Sequence, residues 1–303
     1  MSFNFIFAKN LPRMQFIIFI ILYPIIWLIS ILPFTLLYLF SDFVCFFVYT
    51  VFGYRKKIVR ENIATALPNL SLNERLNIEK KFYHHLCDLF LEMIKTMSIS
   101  QKEIAERFVF TNLEVYQNLE KEGKSIALLC AHYASYEWAI SMNNHIQFEG
   151  YAIYKKLSNK HFDKLVRDIR SKFSATLLNT RETIPTIEHN AKIQHFGVYG
   201  LASDQSPQAS KAFHWAEFMG IEVPVHTGAE MIAKRFDMNV IFLKNKKVKR
   251  GYYQATFELM SDNPKEVPDF EISDDFMRRV EKQIHEAPEF YLWTHKRWKH
   301  RRN

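Results

Sequence analysis

The segment from Met14 to Tyr54 contains a single charged residue, Asp42, and this near-absence of charge limits what the chain can fold into. Its stretch MQFIIFIILYPIIWLISILPFTLLYLF exceeds the roughly 20 apolar residues that one helical bilayer crossing needs. A secretory signal peptide has a shorter apolar region and a small-residue cleavage site, and this segment has neither. A soluble core helix carries polar residues on a 3.6-residue period, which first appear here near Ser41. The sequence therefore predicts an uncleaved membrane anchor.

Basic residues flank this segment unequally. Lys9 and Arg13 precede it, and a larger group follows it: Arg55, Lys56, Lys57 and Arg60. Because the more positive flank usually stays in the cytoplasm, we expect the C-terminal domain there. Pro33 and Asp42 argue against a second full crossing, so residues 34–54 are expected to lie at the membrane interface or to roof a lipid-binding groove. We predict a membrane anchor and interfacial segment in residues 1–54 and a cytoplasmic domain in residues 55–303.

Charge, cysteine and histidine content narrow the classes of function. The net charge of +8 favours anionic partners such as nucleic acid, a lipid surface or an acidic protein. The three cysteines, Cys45, Cys87 and Cys130, are far apart, which fits a reducing compartment better than a disulfide framework or a zinc site. The twelve histidines include no HExxH and no other pairing of ligands on one helix face. No metal site is therefore predicted.

After Arg55 the chain alternates short apolar runs with helical patterns, which is typical of an α/β domain. Because of this alternation we predict a central, largely parallel or mixed sheet covered by helices, with ligands at the carboxyl ends of the strands. Strands are expected near residues 125–130, 151–154, 175–178, 196–202, 239–243 and 253–258. Helices are expected near residues 112–121, 137–144, 160–173, 184–193, 226–236 and 273–286.

Two capping boxes are predicted at helix starts. Ser71 followed by Glu74 precedes a long helical pattern, and Thr227 followed by Glu230 precedes another. In a capping box the hydroxyl accepts a hydrogen bond from the backbone N–H three residues on, and the carboxylate reaches back to the first backbone N–H. Both pairs are expected to be structural.

The stretch AHYASYEW places His132 at the end of an apolar strand and Glu137 five residues later. Residues five apart on a regular helix face different directions, so the two meet only if a turn separates the strand from a helix that begins at Glu137. A carboxylate bound to one imidazole nitrogen would fix the tautomer and leave the other nitrogen to take a proton. The alternative is a capping histidine beside a first-turn glutamate that the helix dipole favours.

Cys130 is an alternative nucleophile, because it lies two residues before His132 and shares its side of the strand. Cys130 also ends an apolar run, where a cysteine usually serves as a small buried hydrophobic residue. The second interpretation is preferred here.

Polar residues in two later stretches are candidates for substrate binding. In HFDKLVRDIRSKF, Asp163 is placed to pair with Arg167, whereas Arg170 has no acidic residue three or four positions away and is available to a group outside its own helix. The alternative for Arg170 is a solvated arginine. In GLASDQSP, Asp204 and Gln205 end an apolar strand, and the alternative is a polar loop opening.

Five blocks in this order resemble the bacterial late acyltransferases of lipid A biosynthesis, a branch of the lysophospholipid acyltransferase superfamily, over nearly the full length. GYRKKIVRENIATALPNLS resembles the post-anchor segment, and APEFYLWTHKRWKHR resembles the shared ending. AHYASYEW resembles the H-x4-D/E catalytic motif, so the resemblance implies that His132 and Glu137 are catalytic. YKKLSNKHFDKLVRDIRSKF places the family's functional arginine at Arg170, and LASDQSP matches an Asp-Gln pair at Asp204 and Gln205.

The resemblance implies a glycerol-3-phosphate acyltransferase-like fold and an enzyme without a cofactor at the cytoplasmic face of the bacterial inner membrane. The implied reaction moves a fatty acyl group from acyl carrier protein to a hydroxyl of a lipid A precursor. The chain departs from the family in having Ala131 and Tyr133 where glycine and phenylalanine are usual. This change puts the shape of the acyl-chain pocket in question.

Two other functions remain as alternatives. An enzyme with the same catalytic pair would act on a glycerolipid or an aminolipid. A membrane-tethered nucleic-acid binder would use the basic clusters KNKKVKR and HKRWKHRRN, but the chain has no recognisable binding motif, so nucleic acid is not an expected partner.

Overall fold

The computed structural model describes the backbone of residues 3–302 and the side chains of residues 14–302. Within that range the α-helices are α1 (Phe3–Ile31), α2 (Phe34–Cys45), α3 (Lys56–Ala66), α4 (Leu72–Lys95), α5 (Gln101–Arg107), α6 (Leu113–Lys121), α7 (Lys160–Arg170), α8 (Thr183–Lys192), α9 (Gly228–Phe236) and α10 (Glu271–Glu286). The strands are β1 (Phe108–Thr111), β2 (Ile126–Cys130), β3 (Glu149–Tyr154), β4 (Thr176–Asn179), β5 (Gly197–Ala202), β6 (His214–Phe218), β7 (Ile221–Val225), β8 (Asn239–Lys249) and β9 (Tyr252–Ser261).

Seven strands form one sheet in the order β1-β9-β8-β2-β5-β3-β4. Neighbouring strands are parallel except β8 and β9, which form an antiparallel hairpin. Because β2 is apolar throughout and lies between β8 and β5, it is the buried centre of the sheet, as a strand of a helix-covered parallel sheet should be. The predicted α/β fold with a central mixed sheet is confirmed.

Several elements differ from the sequence prediction. Strand β1 has only four residues and the β6–β7 hairpin is half-buried, so neither produces a long apolar run. Residues 138–144 form a 3₁₀ helix where an α-helix was predicted. The consequence for the site is that Glu137 precedes a tight turn and does not begin a regular helix.

One predicted capping box is present and the other is wrong. The hydroxyl of Ser71 accepts from the backbone N–H of Glu74, whose carboxylate accepts from the N–H of Ser71. Thr227 makes no such bond, because the carboxylate of Glu230 accepts hydrogen bonds from the backbone N–H groups of Phe270 (2.7 Å) and Ser273 (2.9 Å). Glu230 thus satisfies the free N–H groups at the start of α10, where a buried negative charge is best stabilised.

The N-terminal region contains two helical segments long and apolar enough to cross a membrane, Met14–Ile31 with a mean hydropathy of 2.4 and Phe34–Val51 with 1.8. The chain breaks between them at Pro33, and α2 continues after Cys45 as a π-helical segment, Phe46–Val51. Only 6 % of the first segment is buried, so its apolar side chains are available to lipid.

Helix α2 packs on α4 through both apolar and polar contacts. Leu37 is fully buried, and the Ser41 hydroxyl donates to Asp88 at 2.8 Å. The guanidinium of Arg250, in the β8–β9 turn, lies 2.7 Å from both Asp42 and Asp88. Asp42, the lone charge of the apolar segment, is therefore paired with the α/β domain.

Candidate active site

The carboxyl ends of β2 and β5 bring His132 and Asp204 together. The two strands are parallel neighbours in which Cys130 pairs with Ala202, and each candidate follows its strand by two residues. Oδ1 of Asp204 accepts a hydrogen bond from Nδ1 of His132 at 2.7 Å and a second one from the backbone N–H of His132 at 3.1 Å. The Asp204 side chain is almost fully buried. Its carboxylate therefore fixes both the tautomer and the direction of the imidazole.

Opposing effects act on the pKa of each partner. Burial alone lowers the pKa of His132, but the charge and hydrogen bond of Asp204 outweigh it and leave that pKa above its usual value. Burial alone raises the pKa of Asp204, but the charge and hydrogen bonds of His132 leave it below its usual value. The two directions agree with an ion pair that favours the imidazolium.

The sequence prediction gave Glu137 the role of holding the imidazole, and this contact is wrong. Among the described residues no hydrogen bond joins Glu137 to His132, whose Nδ1 is taken by Asp204. Residues 133–137 turn tightly, with Ala134 at a positive φ of 50°, and Glu137 leads into the 3₁₀ helix. Its carboxylate is thereby turned to α7. The ring of Tyr136 packs edge-on against the imidazole, with ring centroids 5.0 Å apart.

Glu137 forms a two-point ion pair with Arg170. Nε of Arg170 donates to Oε2 at 2.9 Å and Nη2 donates to Oε1 at 2.5 Å. The Arg170 side chain is 25 % exposed and that of Glu137 is 9 % exposed. Burial lowers the pKa of Arg170, but the Glu137 carboxylate raises it above the usual value. Arg170 reaches outside its own helix, as its lack of a local acidic neighbour predicted.

Among the described residues Asp163 and Arg167 do not form the predicted ion pair. Asp163 is buried and binds the backbone of the loop before α7. Its Oδ1 accepts from the backbone N–H of Leu157 at 2.8 Å. Arg167 is exposed.

Gln205 is half-buried beside Asp204, and its side chain makes no hydrogen bond to the described residues. The neighbouring Ser206 donates its backbone N–H to Nε2 of His295 at 3.1 Å. Burial lowers the pKa of His295 to about 4, so this imidazole is neutral and able to accept. Of the Asp-Gln pair, the structure brings Asp204 to His132.

A cavity of about 310 Å³ opens beside His132, Glu137 and Arg170. Residues of even number on β2 and β5 line its floor, because alternate side chains of a strand point to the same face of a sheet, and β3 lines it from Gly150 to Tyr154. Several of these are very small, which leaves a channel along the strands: Gly150, Ala152, Gly200 and Ala202. Apolar walls complete it: Leu128, Ile140, Met142, Ile153 and Leu177. From His132 to Leu128 the channel follows about 13 Å of strand, at about 3.3 Å per residue. Its shape and lining suit an alkyl chain.

Cys130 lines this cavity but is poorly suited to attack. Burial, with the nearby Asp204 charge, raises the pKa of its thiol to about 12, so it is a thiol at neutral pH. The preferred interpretation as a small hydrophobic residue agrees with this. Among the described residues no group of three or more histidine, cysteine or acidic side chains is arranged to hold a metal ion.

The C-terminal segment of residues 290–295 had no predicted role, and it supports the turn that follows His132. The backbone N–H of Leu292 donates to the carbonyl of His132 at 3.1 Å, and that of Ala134 donates to Phe290 at 3.0 Å. From α3, Nδ2 of Asn62 donates to the carbonyls of Trp293 and His295, both at 2.7 Å. Both segments are blocks of the resemblance, which is the one sequence signal that pointed to them.

In a comparison with protein families, the model described as bacterial lipid A biosynthesis acyltransferase matches residues 6–300. No curated protein matches the chain.

Proposed function

Because the chain belongs to the bacterial lipid A biosynthesis acyltransferase family, and is therefore an acyltransferase, we propose that it moves a fatty acyl group from acyl carrier protein to a hydroxyl of a lipid A precursor. The observation that carries this proposal is the His132–Asp204 pair at the mouth of an apolar cavity. A base that is oriented beside a channel for an alkyl chain is what acyl transfer from a fatty thioester requires.

In the proposed reaction the acceptor hydroxyl attacks the thioester carbonyl while Nε2 of His132 takes its proton. Asp204 holds the other ring nitrogen and stabilises the imidazolium that forms. The tetrahedral intermediate then collapses, the carbon–sulfur bond breaks, and the imidazolium returns the proton to the leaving thiolate. The acyl group passes directly to the acceptor, so no acyl-enzyme forms and Cys130 has no role.

Arg170 and Glu137 are proposed to act on the substrate side of this reaction. Two nitrogens of the guanidinium are held by Glu137, and the side chain lines the cavity beside His132. A guanidinium fixed in this way is proposed to stabilise the oxyanion or to position an anionic group of the substrate. Glu137 then serves the reaction by holding Arg170, and Gln205 is proposed to contact substrate next to Asp204.

We propose that residues 1–54 attach the protein to the bacterial inner membrane and that residues 55–303 form the catalytic domain at its cytoplasmic face. The apolar, poorly buried Met14–Ile31 segment and the basic flank after Tyr54 support this placement. The net charge of +8 suits both an acidic carrier protein and the phosphates of a lipid acceptor.

The acceptor is tested with purified enzyme, an acyl carrier protein thioester, and three lipids offered separately: a lipid A precursor, a glycerolipid and an aminolipid. Mass spectrometry should find one added acyl chain on the lipid A precursor only. Cells that lack the gene should correspondingly contain lipid A one acyl chain lighter. Transfer to the glycerolipid or the aminolipid alone would assign the enzyme a different acceptor.

A further inference from the structure

A second apolar cleft, of about 120 Å³, borders the site at Tyr136 and Glu137. One wall of this cleft is formed by a side of α4, and we call it the α4 cleft. The α4 residues that line it are Leu86, Leu89, Phe90 and Met93. Tyr54, Leu292 and Thr294 line the rest of it. The larger cavity beside His132 shares Tyr136 and Glu137 with this cleft. Two apolar spaces therefore meet at the same pair of residues.

The apolar side of α4 leads from the α4 cleft to the N-terminal helix. Leu86, Phe90 and Met93 recur three or four residues apart, and Met97 continues the same side just beyond the end of α4. Met97 lines another cleft together with Phe19 and Tyr23 of α1, and the charged side chains of Lys164, Asp168 and Lys172 line its other side. The distance from Leu86 to Met97 is about 16 Å at 1.5 Å per residue.

Helix α1 supplies the connection to a membrane. Its segment Met14–Ile31 is long and apolar enough to span a bilayer and is only 6 % buried. Apolar side chains on one side of α4 thus lie between Glu137 and a helix that is available to lipid. Phe90 lies on this side of α4 with 55 % of its surface exposed, although transfer of an aromatic ring from water to an apolar environment is favourable.

We propose that the α4 cleft binds an alkyl chain of the membrane lipid that accepts the acyl group, while the larger cavity binds the acyl chain of the donor. This inference rests on the proposed function, because only transfer between two lipidic substrates needs two apolar spaces at one base. The assignment of donor and acceptor follows from the lining. His132 lines the larger cavity, whereas the α4 cleft is smaller and lies on the side of α4 that leads toward α1.

Glu137 suits its place between the two chains. Both carboxylate oxygens are bound by Arg170, so neither apolar space faces an unpaired negative charge. An acceptor chain that lies along α4 would enter past Glu137 and Tyr136 and bring its hydroxyl to His132. The ring of Tyr136, which packs against His132, then forms the boundary between the two chains.

The first test is Phe90→Asp, measured with donor and acceptor varied separately. A charge in the α4 cleft should raise the KM for the lipid acceptor about tenfold or more and leave the KM for the acyl donor unchanged. Phe90→Leu should stay close to wild type. The matched control is Phe213→Asp, since Phe213 is 73 % exposed and lies outside both spaces. An unchanged acceptor KM, or an increase confined to the donor KM, would overturn the assignment.

A labelling experiment tests the α4 cleft without any activity. An amphiphile with one alkyl chain and a terminal diazirine, presented in detergent micelles, should label residues 86–97 of wild type on illumination. Labelling of that segment should fall in Phe90→Asp and stay unchanged in Phe213→Asp. Labelling confined to α1 would refute the α4 cleft even if acyl transfer is observed. A wild-type enzyme that labels as expected but transfers no acyl group would refute the proposed function alone.

Discussion

Asp204 binds His132 twice, once at Nδ1 of the ring and once at the backbone N–H, although 72 residues separate the two in sequence. A single buried oxygen therefore fixes both the main chain and the imidazole of His132. This arrangement makes Asp204 the partner that orients the proposed base, and it leaves Glu137 to hold Arg170.

Asp204→Asn should lower kcat by about 10³ to 10⁴, because the amide cannot stabilise the imidazolium and favours the wrong tautomer. The KM for either substrate should change little. A matched control is Asp274→Asn, since Asp274 also accepts from a histidine, His214, at 2.7 Å but lies outside the cavity. A fall in kcat that is equal in both variants would indicate a general loss of folding and would argue against a special role for Asp204.

The pH dependence of the rate should follow from the raised pKa of His132. A base acts only when neutral, so activity should rise with pH through a pKa above the usual 6.5 of histidine. Asp204→Asn removes the charge that raises this pKa, so the acid limb of its residual activity should shift to lower pH. The kcat/KM profile of the two enzymes tests this. An acid limb at the same pH in both would show that another group titrates.

The same ion pair makes a pH-dependent contribution to stability. Because the folded-state pKa of His132 is raised, its contribution is complete below the ordinary histidine value and is lost as pH rises through the raised value. The pKa of Asp204 is lowered, so its contribution is present above the ordinary aspartate value and is lost as pH falls through the lowered value.

Arg170→Lys should reduce activity by tenfold or more, because an ammonium cannot make the two parallel bonds to Glu137 seen here. Arg167→Lys is the control on the same helix, since Arg167 is exposed, and it should stay near wild type. Because Glu137 and Arg170 form one unit, Glu137→Gln combined with Arg170→Lys should be little worse than the more damaging single change. Equal losses for the two arginine variants would show that the wrong arginine was selected.

Asn62→Ala should destabilise the fold and slow the reaction together. The change leaves the carbonyl of Trp293 without its donor, at about 1–3 kcal/mol for a buried group left unpaired, while the carbonyl of His295 keeps the backbone N–H of Arg297. The C-terminal segment holds the carbonyl of His132 through Leu292, so a looser segment also misplaces the base. Denaturant unfolding should give a lower free energy of unfolding, and kcat should fall as well. An Asn62→Ala enzyme with unchanged stability and unchanged kcat would show that Asn62 does not support the C-terminal segment in this way.

Strand positions were predictable because buried parallel strands are short, apolar and bounded by turns, and β2 and β5 appeared where such runs occur. The identity of the residue that binds His132 was not predictable, because it depends on the order of the strands in the sheet. Sequence places His132 and Asp204 each at the end of a strand, but only the observed adjacency of β2 and β5 brings them together. Glu137 was preferred as the near acid, and the tight turn after His132 directs it elsewhere.

The most direct test of the account is the rate of acyl transfer by His132→Ala, from an acyl carrier protein thioester to a lipid A precursor, with variants first shown to be folded. Loss of the base should lower the rate by about 10² to 10⁴, whereas Cys130→Ser should retain most of the activity. His132→Ala combined with Asp204→Asn should be little slower than His132→Ala alone, since the two act as one unit. An active His132→Ala enzyme, or an acyl group found on Cys130, would contradict the mechanism.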